Sequence, residues 1–296
     1  MRILTLSVTQ ALSGLTVKQL LLRELHLSSS LLKSLKWREN AIMLNNRRVT
    51  VRAVAHAGDI LTVDVSDPPT ESAPIPVDYP LDILWEDEDL LILNKPAGIT
   101  VHSSALTEET VTVAGAVSHY LGGGAFHPVN RLDRGVTGVM VVAKSGYIHQ
   151  RCMASLHTDD FHREYRGICD GVPQPAEGDI RLPISRQPGS LLKRSIDPEG
   201  LPSHTHYQVL SAAHGRALLL LRPLTGRTHQ LRLHMAALGC PLTGDWLYGA
   251  EDRALIARPA LHSYALWLRH PLTAELLHIV APLPQDMEKL LKEGSL

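Results

Sequence analysis

Pro68, Pro69, Pro74, Pro76 and Pro80 crowd one short stretch of a 296-residue chain. Proline locks φ and has no backbone N–H, so a segment this rich in it fits neither a helix interior nor a central strand. No other run of residues 68–80 is long enough to set a helical or strand pattern, and the stretch reads as a linker. It divides the chain into a small module, residues 1–67, and a main domain, residues 81–296. With 44% hydrophobic residues, the larger part has enough apolar surface to build its own core. A chain starting near residue 77 is therefore expected to fold alone.

In the module, Thr16-Val17-Lys18-Gln19 has the form of a capping box opening a helix that offers Leu20, Leu21 and Leu25 to a core. Ser28, Ser29 or Ser30 caps a second helix carrying Leu31, Leu32 and Leu35. A hairpin follows, 41–44 and 47–51, turning at Asn45-Asn46. Gly58-Asp59 then leads into a strand at 60–65. Between residues 16 and 56, Lys18, Arg23, Lys33, Lys36, Arg38, Arg47, Arg48 and Arg52 face only Glu24 and Glu39. That excess of positive charge sits inside a chain whose formal charge is −1, and it is the electrostatic footprint expected of a phosphate-binding surface.

The main domain opens with strands at 81–85 and 90–94 around an acidic turn, Glu86-Asp87-Glu88-Asp89. Further strands are read at 139–143, 217–221 and 277–280, and helices at 145–156 and 228–238. Strands outnumber helices and no βαβ rhythm appears, which favours an α+β class over a doubly wound sheet. At His127-Pro128-Val129-Asn130-Arg131-Leu132-Asp133-Arg134-Gly135 a lone carboxylate, Asp133, stands between two arginines at the mouth of the apolar run 139–143. Positive neighbours favour an ionised carboxylate near bound anions. Residues 179–201 hold Arg181, Arg186, Lys193 and Arg194 among prolines and glycines, and read as a mobile basic loop.

Five stretches in order resemble the RluA family of RNA pseudouridine synthases. They are Asn94-Lys95-Pro96-Ala97-Gly98 with Val101-His102; 130–138 with 141–144; Phe161-His162-Arg163-Glu164-Tyr165; Thr225 to His234 continued by 239–249; and Leu261 to Leu266 with His270-Pro271. The module, over residues 12–66, resembles the α-L-type RNA-binding domain. The resemblance implies a catalytic domain built on a mixed, largely antiparallel sheet, preceded by a small α/β RNA-binding module. It implies catalytic roles for Asp133, Tyr165 and Arg227, with Asp133 the nucleophile and Arg227 its partner. It implies substrate-binding roles for Arg131, Leu231, Arg134, Lys95, His102 and Arg232. Arg131 is the residue that fills the stack when the target base leaves it. Arg227 also has a second reading, a phosphate contact at the start of helix 228–238. Asn130, Gly135-Val136-Thr137, Arg163 and Ser103 depart from the usual pattern, but none removes the carboxylate, the tyrosine or the arginine.

Isomerising uridine means detaching the base from its sugar, turning it and rejoining it through carbon 5. A carboxylate nucleophile divides that into easier steps. Whether it attacks sugar or base, or removes a sugar proton, stays open at this level. No cofactor is called for. The closest histidine groups, His204 with His206, His157 with His162, and His229 with His234, lack the His-Glu-x-x-His spacing of a helical zinc site, and no metal is expected. Three scattered cysteines, Cys152, Cys169 and Cys240, argue against a disulfide framework and for a reducing cytoplasm. No apolar run is long enough to span a membrane. The expected partner is RNA, ribosomal in preference to transfer RNA, bound by a monomer. Two competing readings are an inactive RNA-binding or ribosome-assembly factor of the same fold and a glycoside hydrolase, which usually needs a second carboxylate.

Overall fold

The structure is a computed structural model that describes residues 2–68, 70, 73–103, 111–156 and 158–293; Pro69 and His157 lie outside these. The module contains β1 (Ile3–Ser7), α1 (Val17–Arg23), α2 (Ser29–Leu35), β2 (Ile42–Leu44), β3 (Arg47–Arg48) and β4 (Ile60–Asp64), with its strands in the antiparallel order β1-β4-β2-β3. The capping box forms as expected: Thr16 caps α1 and Gln19 reaches back to it. Among the three serines the cap of α2 is Ser28, whose Oγ accepts the Leu31 N–H. Asn45 and Asn46 both take positive φ, the geometry of a tight two-residue hairpin turn.

The main domain runs β5 (Ile83–Glu86), β6 (Leu90–Lys95), α3 (Val113–Tyr120), β7 (His127–Pro128), β8 (Thr137–Ala143), α4 (Gly146–Ser155), β9 (Phe161–Asp170), β10 (Glu177–Ile180), β11 (Ile184–Arg186), β12 (Arg194–Ile196), β13 (Thr205–Ala213), β14 (Arg216–Pro223), α5 (Gln230–Ala237), β15 (Leu261–Arg269), β16 (Leu276–Val280) and α6 (Gln285–Glu293). One large sheet has the order β10-β13-β14-β9-β15-β8-β6-β5, with β16 beside β15 and β7 beside β8. Its paired strands are antiparallel except β8 and β15, which run parallel through His262↔Thr137 and Ser263↔Gly138. The α+β, largely antiparallel expectation is met. Gly138 is required at that junction: its φ is +105° and an added Cβ would lie 2.1 Å from the Ser263 carbonyl oxygen. β11 and β12 form a separate hairpin, so part of the segment read as a mobile loop is ordered structure.

Every residue of β8 is buried. Val139, Val141 and Ala143 face one core, while Met140 and Val142 face another. Burial on both faces explains why this strand reads as a continuous apolar run rather than an alternating one.

The first of these cores joins the two parts that the proline-rich segment divides. Val17, Leu20, Leu21, Leu32 and Leu61 of the module share one apolar cluster with Ile92, Val141, Tyr147 and Ile148. Polar contacts reinforce the seam. The Tyr147 hydroxyl donates to the Leu25 carbonyl at 2.8 Å, and Asp67 accepts from the Gly146 N–H at 2.9 Å and pairs with His127 at 2.7 Å. The proline-rich segment is itself laid down on α3. The Ser118 hydroxyl donates to the Pro74 carbonyl, and the Val77 N–H to that of Gly115. Among the described residues, no helix is long and apolar enough to cross a membrane.

Candidate active site

On the other face of β8 lies an open cleft of about 670 Å³, within the usual range for a small-ligand pocket. Asp133, Arg131, Tyr165, Arg227, Leu231 and Arg232 all line it, as do His102 and Arg134. A neighbouring hollow of about 830 Å³ shares Leu156, Arg163 and Pro223 with the cleft but does not reach Asp133.

Asp133 sits in the loop between β7 and β8. Two ties hold that loop. Asn130 is buried, its amide donating to the Val139 carbonyl and accepting from the Val141 N–H. Lys95 is 1% exposed and its ammonium donates to the carbonyls of Pro96, Arg134 and Val136 at 2.8–3.3 Å. This corrects the substrate-binding role expected of Lys95. A buried ammonium engaged by three backbone carbonyls fixes the Asp133 loop from beneath and offers nothing to a ligand.

The arginine beside Asp133 is Arg232, not Arg227. Arg232 Nη1 lies 3.2 Å from Asp133 Oδ2. Its other edge forms a two-pronged pair with fully buried Asp245, both contacts at 2.7 Å. Such a fork–fork arrangement fixes direction as well as charge. Burial opposes the charge on Arg232, but Asp245 and Asp133 outweigh it and hold the guanidinium above its ordinary value. Asp245 in turn accepts the backbone N–H groups of Leu247 and Tyr248.

Arg227 precedes α5 on an exposed turn, with its Nε donating to the Pro202 carbonyl at 3.2 Å. The difference follows from the local fold. Buried Gln230 gathers the Thr225 hydroxyl and the Arg227 N–H on its side-chain oxygen and donates to the His204 carbonyl and Thr205 hydroxyl. That locks the turn 225–230 with Arg227 outward. Arg232, inside α5, is carried into the protein on the helix's buried stretch, 230–235.

Tyr165 comes from β9 and is 5% exposed. It packs in one cluster with Leu132 and Leu231. Arg131 is exposed at the cleft mouth. His102 meets the Phe126 ring edge-on at 5.1 Å; desolvation and the positive charge of Arg131 hold its imidazole below the ordinary value. Arg134 donates through Nε to the Gly98 carbonyl.

His229 was assigned no catalytic role from sequence, yet its Nε2 lies 3.8 Å from Asp133 Oδ2. Burial pushes its imidazole below the ordinary value. Asp133 pulls the other way, Arg232 and Arg194 add to the downward push, and Asp245 opposes it. Only the Thr-His-Gln element of the motif hinted at it. Among the described residues, the one grouping of potential metal ligands is Asp87, Asp89 and His270. It does not line the cleft, and Arg2 pairs with Asp89 there.

A family model described as RNA pseudouridylate synthase matches residues 89–237. The chain is 38% identical to the uncharacterised RNA pseudouridine synthase YjbO of Bacillus subtilis, over 91% of this chain and 96% of that one. It is 39% identical to the ribosomal large subunit pseudouridine synthase D of Escherichia coli K12, over 73% and 71% of the two chains. Among solved structures, human RNA pseudouridylate synthase domain containing 4 superposes with a TM-score of 0.58 at 27% identity, covering 72% of this chain and 93% of that one. The chain belongs to the RNA pseudouridylate synthase family. It is accordingly an isomerase that converts uridine in RNA to pseudouridine.

Proposed function

We propose that Asp133 is the nucleophile of this isomerisation and that the substrate is a uridine in structured ribosomal RNA. The observation that carries the proposal is the Asp133 carboxylate set in the cleft against Arg232, whose other edge Asp245 holds rigid. In the reaction the N1–C1′ bond of uridine breaks, a C5–C1′ bond forms, and the hydrogen leaves carbon 5 while N1 regains one. The product is an isomer of the same mass. Splitting the transfer through a covalent aspartyl adduct replaces one difficult step by two easier ones. The target base must first leave its stack, which costs a few kcal/mol. Arg131 at the mouth takes its place, and Tyr165 and Leu231 receive the extruded base.

Ribosomal RNA is supported by the name of the Escherichia coli relative and by the surface of the module. Lys18, Arg23, Lys33, Lys36, Arg47, Arg48 and Arg52 are exposed there. The eighth basic residue, Arg38, is committed to Asp64 and the Ser66 carbonyl. Trp37 is 84% exposed directly beside Lys36, an arrangement suited to a stacked base next to its phosphate. Sequencing pseudouridines in RNA from cells with and without this protein tests the proposal. Loss of one or a few ribosomal sites supports it; a loss confined to transfer RNA rejects the ribosomal substrate.

A further inference from the structure

We propose that His229 is a positioning residue for Asp133, held in one tautomer by Tyr248, and that this contact leaves Oδ1 of Asp133 as the attacking oxygen. The proposal rests on the nucleophilic role of Asp133 and goes beyond it.

His229 takes a positive φ of 58° as the residue before α5. Few non-glycine residues adopt that conformation, histidine more readily than most. Here the ring is held from one side. Its Nδ1 lies 2.9 Å from the Tyr248 hydroxyl, and that hydroxyl accepts the backbone N–H of Arg194 at 2.8 Å. A hydroxyl has one hydrogen to give. Giving it to Nδ1 uses every group in the chain and places the ring hydrogen on Nε2, the atom facing Asp133. The opposite tautomer would turn an Nε2 lone pair toward a carboxylate and leave the tyrosine hydrogen unused. Tyr248 is itself set by Asp245, which accepts its backbone N–H, and its ring lies 5.3 Å from the Arg232 guanidinium.

The charge of Arg232 and the N–H dipole of His229 therefore face the same oxygen. Arg232 donates to Oδ2 at 3.2 Å and His229 Nε2 faces Oδ2 at 3.8 Å. The second distance is outside hydrogen-bond range, so His229 acts through its N–H dipole and by occupying the space beside Oδ2. Among the described residues Oδ1 has no hydrogen-bond partner. The chain of contacts also joins the basic hairpin β11–β12, through Arg194, to the nucleophile.

The charged and titratable groups around the ring are Asp133, Arg232, Arg194, Asp245 and Tyr248. Protonating His229 would add a second cation beside the carboxylate and blunt its nucleophilicity. Activity is thus full while His229 is neutral and falls as pH drops through its depressed value. The Tyr248 hydrogen bond to Nδ1 stabilises the neutral ring. Its removal raises the pKa of His229 and moves the acid limb to higher pH.

Single-turnover rates at saturating RNA, measured from pH 4.5 to 9 for wild type, Tyr248→Phe, His229→Asn and Asp133→Asn, test this. Tyr248→Phe is expected to shift the acid limb upward by about one pH unit. His229→Asn tolerates the positive φ and cannot titrate; it is expected to lose about tenfold in rate and to lose the limb that Tyr248→Phe moves. The ¹⁵N shifts of His229 should show a hydrogen on Nε2 in wild type, with Nδ1 bare. Unmoved acid limbs in both variants, or a hydrogen on Nδ1, overturn the proposal; if His229→Asn fails to fold, Tyr248→Phe and the ¹⁵N shifts decide. Turnover by Asp133→Asn would instead remove the nucleophile reading, a distinct result.

Discussion

The cleft and the N-terminal module both carry arginines, and they use them in opposite ways. In the cleft Arg232 is 5% exposed and meets two carboxylates. In the module seven of the eight basic side chains between residues 16 and 56 are exposed, and Arg38 alone is turned to structure. A buried guanidinium is immobile and directs a reacting group; an exposed one is solvated and meets phosphate without fixing a single geometry. Arg227 and Arg232 repeat the contrast within one motif. Five residues apart, one lies on an exposed turn and the other in the buried stretch of α5.

The sharpest break in this comparison comes from the nucleophile. Asp133→Asn keeps the size of the side chain and removes its charge; the rate is expected to fall at least about 10³-fold while RNA affinity hardly changes. Substantial turnover by protein free of wild type would end that assignment.

Next comes Arg232→Ala, which leaves Asp245 buried without its guanidinium and Asp133 without its guide. Breaking a buried pair in this way costs about 3–5 kcal/mol, so both the melting temperature and the rate should drop. An Arg232→Ala protein as stable and active as wild type would mean that the cleft is no more organised than the module.

Removing residues 1–76 probes the seam rather than either site. It strips the module side from Val141, Tyr147 and Ile148, and the melting temperature of the remainder is expected to fall by well over about 4 °C. An unchanged melting temperature would show that the main domain is as independent as the proline-rich segment suggests.

Arg227→Ala is expected to behave like a change in the module, despite its place in the cleft. Affinity should weaken and the salt slope of binding should shrink by about one contact, with the saturated rate unchanged. A lost rate at unchanged affinity would move Arg227 back into the catalytic group. The smallest effect belongs to Trp37→Ala, which should cost about 1–3 kcal/mol of binding to a long structured RNA and nothing on a short stem-loop. Equal loss on both RNAs would show that Trp37 supports the fold instead.

Much of this was legible from residues alone, and the pattern of what was not is instructive. The capping box at Thr16, the hairpin at Asn45-Asn46 and the buried strand after Asp133 are local, since each depends on residues a few positions apart. So is the run around Asp133, whose order of residues marks the proposed nucleophile. The partner of Asp133 is not local. Arg232 reaches it across 99 positions, whereas the motif alone gives that role to Arg227. Only the turn locked by Gln230, the burial of α5 and the anchoring of Asp245 select between them. Lys95 is misleading for the same reason: a lysine in a motif reads as a substrate contact until three carbonyls are seen to enclose it. The amino-acid order by itself marked the module's two helices and its hairpin, the buried strand after Asp133, and the family. The tertiary structure decided which charges are buried against one another, because pairing in the interior depends on desolvation and direction, and neither exists until distant segments have packed together.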